Sequence, residues 1–253
     1  YPFNDRVSIQ KAEQTDLFYI NKGHNDSING YQFVKSYDET LLVVDESYYS
    51  RELQGNLRTL AGSVEGSELL QFAIGAVTKT DGAIITLEES DGSAQIPTAN
   101  YNARSAKKVF TSFAELLRLA AADLLSVATG ELRSGIISSR TRNGDVTQKI
   151  WIADTLENGA GFSTEISRPE KVSELFENAS KIAKGYTSYR HRGECSSACH
   201  NCLSSYENRF IAEDLNWRFA LDMTDFILGN KMNKDNWFIL KNQMQNLKNY
   251  FMF

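Results

Sequence analysis

The chain has 253 residues, of which 42% are hydrophobic and 23% charged, and its formal net charge is −5. This balance is typical of a folded globular protein and argues against intrinsic disorder. The negative net charge argues against a surface covered with nucleic acid. No apolar run reaches the ~20 residues that a membrane-spanning helix needs.

The N-terminal part of the chain is predicted to be rich in β-structure. Short runs of β-branched and aromatic residues alternate there with Asn, Asp and Gly clusters that indicate turns. The predicted strands lie at residues 17–20, 31–34 and 41–44. Two further runs, at residues 69–77 and 83–87, are predicted to pair as a hairpin because Asp81-Gly82 is a strong turn signal.

The most regular pattern is that of an amphipathic helix. Apolar residues recur at helical spacing from Phe113 to Ala128. Ser112 and Glu115 have the spacing of a capping box at its start, and Gly130 stands just after its end. We expect this helix to bury its apolar stripe in the core.

A strand followed by a glycine-containing turn and a helix is predicted next. Strands at residues 136–137 and 149–152 flank a polar turn at residues 142–145, and the second strand ends at Asp154. Gly159 and Gly161 precede a stretch that is helical at residues 173–184. Glycines at such a turn can cradle an anion or permit close packing, and we expect packing.

All three cysteines of the chain lie within eight residues, at Cys195, Cys199 and Cys202. Thiolates suit tetrahedral Zn²⁺, and C-x3-C-x2-C spacing lets one turn direct several sulfurs at one ion. A disulfide framework is the alternative, but the count is odd and nothing resembles a secretory signal. Buried structural cysteines are a second alternative, although the segment is polar.

The fourth ligand of a structural zinc site would be a histidine. His191 lies four residues before Cys195 and can close the site with its imidazole. His200 is a second candidate, although Cys199 and Cys202 on either side of it would already constrain the local backbone as metal ligands.

The C-terminal part is predicted to be helical and mildly basic. From Lys181 onward there are ten Lys and Arg against seven Asp and Glu. Helical segments are predicted around residues 203–210, 217–221 and 237–250. Basic residues near the cysteines can contact phosphates, and the aromatics among them can stack bases or simply cover the metal. The candidate nucleic-acid-binding residues are Lys184, Arg190, Arg192 and Arg209.

Known catalytic patterns are absent from the sequence. It contains no H-E-x-x-H helix, no P-loop pattern and no Zn-deaminase signature. One catalytic alternative is a zinc hydrolase, in which three protein ligands leave an open position for an activated water.

Several motifs together resemble the MrfA-type zinc-binding domain of bacterial superfamily 2 DNA helicases and the corresponding subunit of the DISARM anti-phage system. The resemblance covers about residues 69–228, and its most specific part is C-x3-C-x2-C-L-x-S-Y-x-N. The residues that carry it are Asp154, Gly159, Gly161, Phe162, Cys195, Cys199, Cys202, Leu203, Ser205, Tyr206, Asn208, Leu215, Trp217, Ala220 and Leu221.

The chain departs from the family at two positions. Where the family has its first cysteine, this chain has Gly193, so His191 is expected to take the fourth position on zinc. The family's double glycine appears as Asn158-Gly159, so we assign Asp154, Gly159 and Gly161 to a structural turn and expect no phosphate binding there.

The resemblance implies an α+β fold with a sheet, antiparallel or mixed, packed by helices, and a cysteine knuckle within a helical C-terminal region. Residues 1–68 would form a β-rich segment and residues 69–253 the zinc-binding-like domain. It also implies a non-catalytic, cytoplasmic module that binds Zn²⁺ and DNA and supports a helicase in anti-phage defence or DNA repair. Any ATPase lobes would lie in a partner or upstream of Tyr1. A protein-protein adaptor without DNA contact is the alternative.

Overall fold

The computed structural model of the protein describes residues 2–4, 6–21, 31–35, 41–43, 57–59, 62–64, 69–72, 74–87, 104–140 and 146–230. The chain divides into two compact units, one made of Tyr1–Thr15 and Lys79–Phe253 and the other of Asp16–Thr78. The predicted boundary between residues 68 and 69 stays a prediction. The turn predicted at residues 142–145 and the helix predicted at 237–250 lie outside the described residues.

The smaller unit contains short antiparallel ladders. Strand β2 pairs with β3 and with β6, and β4 pairs with β5. Their bounds are Tyr31–Lys35 for β2, Leu41–Val43 for β3, Leu57–Thr59 for β4, Gly62–Val64 for β5 and Leu69–Phe72 for β6. The strands predicted at 31–34 and 41–44 are confirmed to within a residue.

A four-stranded sheet has the order β1-β7-β9-β8, and all of β8 and β9 and most residues of β1 and β7 lie in the larger unit. The bounds are Val7–Asn21 for β1, Ile74–Leu87 for β7, Leu132–Arg140 for β8 and Val146–Asp154 for β9. Strand β9 runs antiparallel to both of its neighbours. The strands predicted at residues 136–137 and 149–152 lie within β8 and β9, so these predictions are confirmed.

The hairpin predicted at Asp81-Gly82 is wrong, because β7 continues through both residues. Gly82 pairs with Ala153 of β9 and is buried. A Cβ at Gly82 would lie 3.5 Å from the carbonyl oxygen of Ile152, which is an ordinary van der Waals contact, so this strand position does not require glycine. The Asp81 carboxylate accepts a hydrogen bond from the backbone N–H of Gln14 at 2.9 Å. Asp81 therefore bonds to a distant part of the chain and does not close a local turn.

Five α-helices and two 3-10 helices occur among the described residues of the larger unit. The α-helices are α1 Arg104–Leu125, α2 Phe162–Ile166, α3 Pro169–Gly185, α4 Tyr189–Glu194 and α5 Trp217–Ile227. The 3-10 helices are Thr129–Glu131 and Arg209–Asp214.

Helix α1 is the centre of the core. It packs against β8 and β9 and also against α3 and α5. Because neighbours lie on several sides, Phe113, Leu116, Leu117, Ala120 and Ala121 are all fully buried. The predicted core role of this helix is therefore confirmed.

The capping box predicted at the start of α1 is wrong. The helix begins at Arg104, so Ser112 lies in its interior. The Ser112 hydroxyl donates to the carbonyl of Lys108 at 2.6 Å and accepts from the backbone N–H of Asn216 at 2.8 Å. It thereby ties α1 to the start of α5.

The C-terminal end of α1 also differs from the prediction. The helix ends at Leu125 and is followed by Ser126 with φ of 55°, in the left-handed region. Gly130 instead belongs to the 3-10 helix Thr129–Glu131. A serine therefore takes the left-handed conformation that glycine more often adopts after a helix.

The α+β fold class is confirmed, with a sheet packed by helices and the cysteines in the helical C-terminal region. Among the described residues, no helix combines the length and apolar character needed to span a membrane.

Candidate metal centre

The cysteine loop, defined as residues 195–202, brings three sulfurs together. The Sγ of Cys202 lies 3.9 Å from that of Cys195 and 3.8 Å from that of Cys199. Within the loop, the backbone N–H of Cys199 donates to the Sγ of Cys202 at 3.1 Å. The loop then closes as a tight turn, because the backbone N–H of Cys202 donates to the carbonyl of Cys199.

His191 completes the cluster from helix α4. The backbone N–H of Cys195 donates to the carbonyl of His191 at 2.8 Å, so one helical turn connects the two residues. The Nε2 of His191 lies 3.4 Å from the Sγ of Cys199. The four ligand atoms all lie within 4.8 Å of one another. His200, the other candidate, is exposed and lies outside this cluster.

The hydrogen bond of Nδ1, the ring nitrogen that does not face the sulfurs, determines the tautomer of His191. Nδ1 lies 2.8 Å from the carbonyl oxygen of Tyr186. Because a carbonyl can only accept, Nδ1 carries the proton and Nε2 presents its lone pair to the sulfurs. A metal-binding histidine is commonly oriented by such a bond.

The cluster has the dimensions of a tetrahedral zinc site. With Zn–S bonds of about 2.3 Å and a Zn–N bond of about 2.0 Å, two sulfurs should lie about 3.8 Å apart and a nitrogen about 3.5 Å from a sulfur. Three of the six distances between ligand atoms, 3.8, 3.9 and 3.4 Å, agree with this geometry, and all six are at most 4.8 Å. Three thiolates and one imidazole fit Zn²⁺, and four protein ligands leave no open position for a reacting water.

Burial raises the pKa of the thiols. The pKa of Cys195 is raised to about 12, mainly by burial and further by the neighbouring Cys202 and Cys199. The pKa of Cys202 is also raised, again mainly by burial. Both residues are therefore protonated thiols near neutral pH when no metal is bound.

We expect zinc binding to release protons. Because Cys195 and Cys202 hold their protons near neutral pH and zinc binds thiolates, each ion should displace roughly two or more protons at pH 7. The apparent affinity should therefore rise about a hundredfold per pH unit. Calorimetric titration in buffers of different ionisation enthalpy measures the proton count. Binding without proton release would contradict ligation by these thiols.

A buried polar network joins the end of the cysteine loop to helix α1. We define it as Glu115, Arg118 and Asn208, which are all buried. The side-chain N–H₂ of Asn208 donates to the Glu115 carboxylate and to the carbonyl of Leu203, both at 2.7 Å. The Asn208 Oδ1 accepts from the backbone N–H of Ser205 at 2.7 Å. This asparagine therefore anchors the chain that follows Cys202.

Glu115 and Arg118 form an ion pair inside the network. The Arg118 Nε donates to the Glu115 carboxylate at 3.0 Å, and a second guanidinium N–H contacts the same oxygen. Their side chains are only 3% and 4% exposed. Asn208 therefore connects the segment after the cysteine loop to a charge pair in the core.

The turn after β9 is organised by Asp154. Its carboxylate accepts hydrogen bonds from the backbone N–H groups of Ala160, Phe162 and Ser163, at 2.7, 3.1 and 2.8 Å. Gly159 and Gly161 have φ of 79° and 82°, and a Cβ at Gly159 would lie 2.4 Å from the Asp81 carboxylate. The backbone N–H groups of Ala160, Phe162 and Ser163 are thus bonded within the chain and are not free to hold an anion.

The candidate nucleic-acid-binding residues are all exposed. Lys184 lies in the last turn of α3, and Arg190 and Arg192 lie on α4 beside His191. Arg209 begins the 3-10 helix after the cysteine loop.

One residue that the sequence patterns did not indicate also borders the cysteine loop. Arg218 is 1% exposed, and its NH1 donates to the carbonyl of Ser196 at 2.7 Å. The sequence did carry one signal for this residue, because Arg218 is a charged side chain in the otherwise apolar start of α5. An arginine buried there requires nearby acceptors or negative charge.

Comparisons with known proteins found a zinc-binding domain and a helicase structure that are similar to this chain. The model of the MrfA Zn-binding domain matches residues 113–203. A crystal structure of the DUF1998 helicase MrfA bound to DNA is similar with a TM-score of 0.41 and 11% sequence identity, over 88% of this chain and 26% of that chain. The present chain thus spans about a quarter of that protein. The comparison with curated proteins found no match.

The matched segment begins within α1 and ends at the residue after Cys202, so it contains Glu115, the Asp154 turn and all four clustered residues. It is narrower than the resemblance to residues 69–228 noted from the sequence. Residues 113–203 of this chain are thus similar to the MrfA Zn-binding domain.

Proposed function

We propose that this chain is a non-catalytic, zinc-stabilised module that works with a DNA helicase or translocase. The observation that carries this proposal is the closed set of four ligands inside a segment similar to the MrfA Zn-binding domain. A site with four protein ligands is typical of structural zinc, whereas hydrolytic zinc keeps a position for water. The zinc hydrolase alternative is therefore disfavoured.

In this proposal, zinc holds the cysteine loop in place and residues on either side of it contact DNA. Lys184, Arg190 and Arg192 come before the loop, and Arg209 comes after it. Exposed cations on a metal-ordered segment suit contacts with phosphates, which depend on charge and not on base sequence.

Exposed aromatic rings accompany these cations. Tyr189 is 92% exposed, Tyr206 74% and Phe210 81%. The Arg209 guanidinium lies 4.1 Å from the centre of the Tyr206 ring and 4.3 Å from that of Phe210. Aromatic rings combined with arginine can stack unpaired bases, which favours single-stranded DNA as the form bound.

We expect joint replacement of Lys184, Arg190, Arg192 and Arg209 with alanine to weaken DNA binding at low salt. If each side chain contacts one phosphate, the slope of log K against log salt should become less steep by about 3 units, because each contact contributes about 0.7–0.9. Fluorescence anisotropy with labelled single-stranded and duplex DNA over a salt series measures this slope.

A control variant should carry the same change in charge elsewhere. Alanine at Lys11, Lys79, Arg168 and Lys171 also removes four positive charges. Lys11 lies on β1 and Lys79 on β7. Arg168 and Lys171 lie at the start of α3, at the opposite end of this 17-residue helix from Lys184. Equal losses in both variants would show that only the total charge matters. Unchanged binding in the first variant would contradict the DNA role.

The alternative function is an adaptor that binds a protein partner without DNA. The same exposed aromatics support it, because Tyr, Phe and Arg are enriched in protein interfaces. Partner binding that survives nuclease treatment and high salt, with no measurable DNA affinity, would favour this alternative.

The cellular role in this proposal is anti-phage defence, as in DISARM, or DNA repair in a bacterium. The three cysteines form no disulfide, which suits a reducing cytoplasm. Co-purification of the chain with an ATPase that translocates on DNA would support this role.

A further inference from the structure

The first turn of helix α5 holds the backbone of the cysteine loop. The backbone N–H of Trp217 donates to the carbonyl of Ser197 at 3.0 Å, and its indole N–H lies 3.4 Å from the carbonyl of Cys195. The Arg218 NH1 donates to the carbonyl of Ser196 at 2.7 Å and lies 3.5 Å from that of Cys195. Two consecutive residues thus place donors on the three residues that begin the loop.

The Arg218 side chain brings a full positive charge to this position. It is 1% exposed, and its guanidinium carbon lies 4.3 Å from the centre of the Trp217 ring. The Trp217 ring in turn packs edge-on against His191, with centroids 5.5 Å apart. The cation is therefore buried against the backbone of the cysteine loop, and the Trp217 ring lies against both the guanidinium and the imidazole.

The charge of the metal centre explains why a cation belongs there. Three thiolates and one neutral imidazole around Zn²⁺ leave a net charge of −1 by simple addition. A buried net charge is costly unless an opposite charge lies nearby, and a buried arginine has the same requirement. The hydrogen bonds of Arg218 NH1 go to neutral carbonyls, which orient the guanidinium without neutralising it.

We propose that Arg218 is the counter-ion of the metal centre and that its positive charge strengthens zinc binding. Arg218 is a positioning residue here, because it touches the backbone of the ligand loop and not the metal. Groups that support the ligands of a metal site typically contribute ten- to a hundredfold to metal affinity.

The test separates the charge of Arg218 from its hydrogen bonds. Arg218→Lys keeps the charge, whereas Arg218→Gln keeps a donor for the loop carbonyls and removes the charge. We expect Arg218→Gln to lower zinc affinity about ten- to a hundredfold and Arg218→Lys to stay within about tenfold of the unaltered chain. Competition with a chromogenic chelator measures affinity, after zinc binding by the unaltered chain has been established.

Two further measurements distinguish a charge effect from a packing effect. The visible spectrum of the Co²⁺-loaded variants should keep the bands of three sulfurs and one nitrogen, which shows that the ligands are unchanged. Asp225→Asn alters another buried charged residue on α5, seven positions later, whose carboxylate accepts a hydrogen bond from Asn230, and should leave zinc affinity unchanged.

Equal affinity in Arg218→Gln and in the unaltered chain would overturn the proposal, as would equal losses in the Lys and Gln variants. A loss in Asp225→Asn as large as that in Arg218→Gln would also overturn it, because the effect would then reflect damage to α5. If Arg218→Gln does not fold, Arg218→Lys decides alone, and a loss of more than about a hundredfold in it would contradict the proposal.

Discussion

Replacing Cys199 with serine is expected to abolish zinc binding near neutral pH and to unfold the residues around the cysteine loop. Structural zinc contributes about 10–16 kcal/mol of apparent free energy in small zinc domains. Because the whole stability of a domain is about 5–15 kcal/mol, the loss of the metal cannot be compensated locally. Elemental analysis and thermal unfolding followed by circular dichroism measure the two effects.

The matched control is His200→Ala, which removes a potential ligand one residue from Cys199. His200 is exposed and lies outside the cluster, so zinc content and the unfolding midpoint should not change. His191→Ala, in contrast, should lower zinc affinity because the fourth ligand is lost. A Cys199→Ser variant that keeps both its zinc and its thermal midpoint would refute the assignment.

The second large effect is expected from Glu115→Gln, which removes the negative charge of the buried polar network. Arg118 would then be a buried cation without its counter-charge, and breaking such a pair from one side costs about 3–5 kcal/mol. Asn208 would also lose its charged acceptor, so the segment after the cysteine loop should loosen. Denaturant unfolding of the zinc-loaded protein measures the free energy.

The control for this substitution is Glu174→Gln in helix α3. Glu174 pairs with Lys171 at the same three-residue spacing and with a similar distance of 2.7 Å, but both side chains are substantially exposed. Exposed pairs contribute about 0–1 kcal/mol, so the control should change stability little. Similar effects of the two substitutions would mean that burial of the Glu115–Arg118 pair is not important.

The metal ligands were predictable from sequence because they are close together in the chain. Three sulfurs within eight residues and a histidine one helical turn earlier need only local structure to meet. His191 was expected from the sequence to take the fourth position, and the structure places its imidazole in the cluster while His200 is exposed outside it.

The errors arose where distant parts of the chain decide the role of a residue. Asp81-Gly82 is a turn signal by itself, but neighbouring strands on both sides keep β7 extended through it. Ser112 and Glu115 have capping-box spacing, yet their partners include Asn216 and Asn208, about a hundred residues away. Local spacing cannot reveal such partners, and the same holds for Arg218 and the cysteine loop.

The most direct test of the account is X-ray absorption at the zinc edge of the purified protein, together with elemental analysis. We expect one zinc per chain with three sulfurs at about 2.3 Å and one nitrogen at about 2.0 Å. A correctly folded protein that contains no zinc, or a zinc ion surrounded mainly by oxygen, would contradict it.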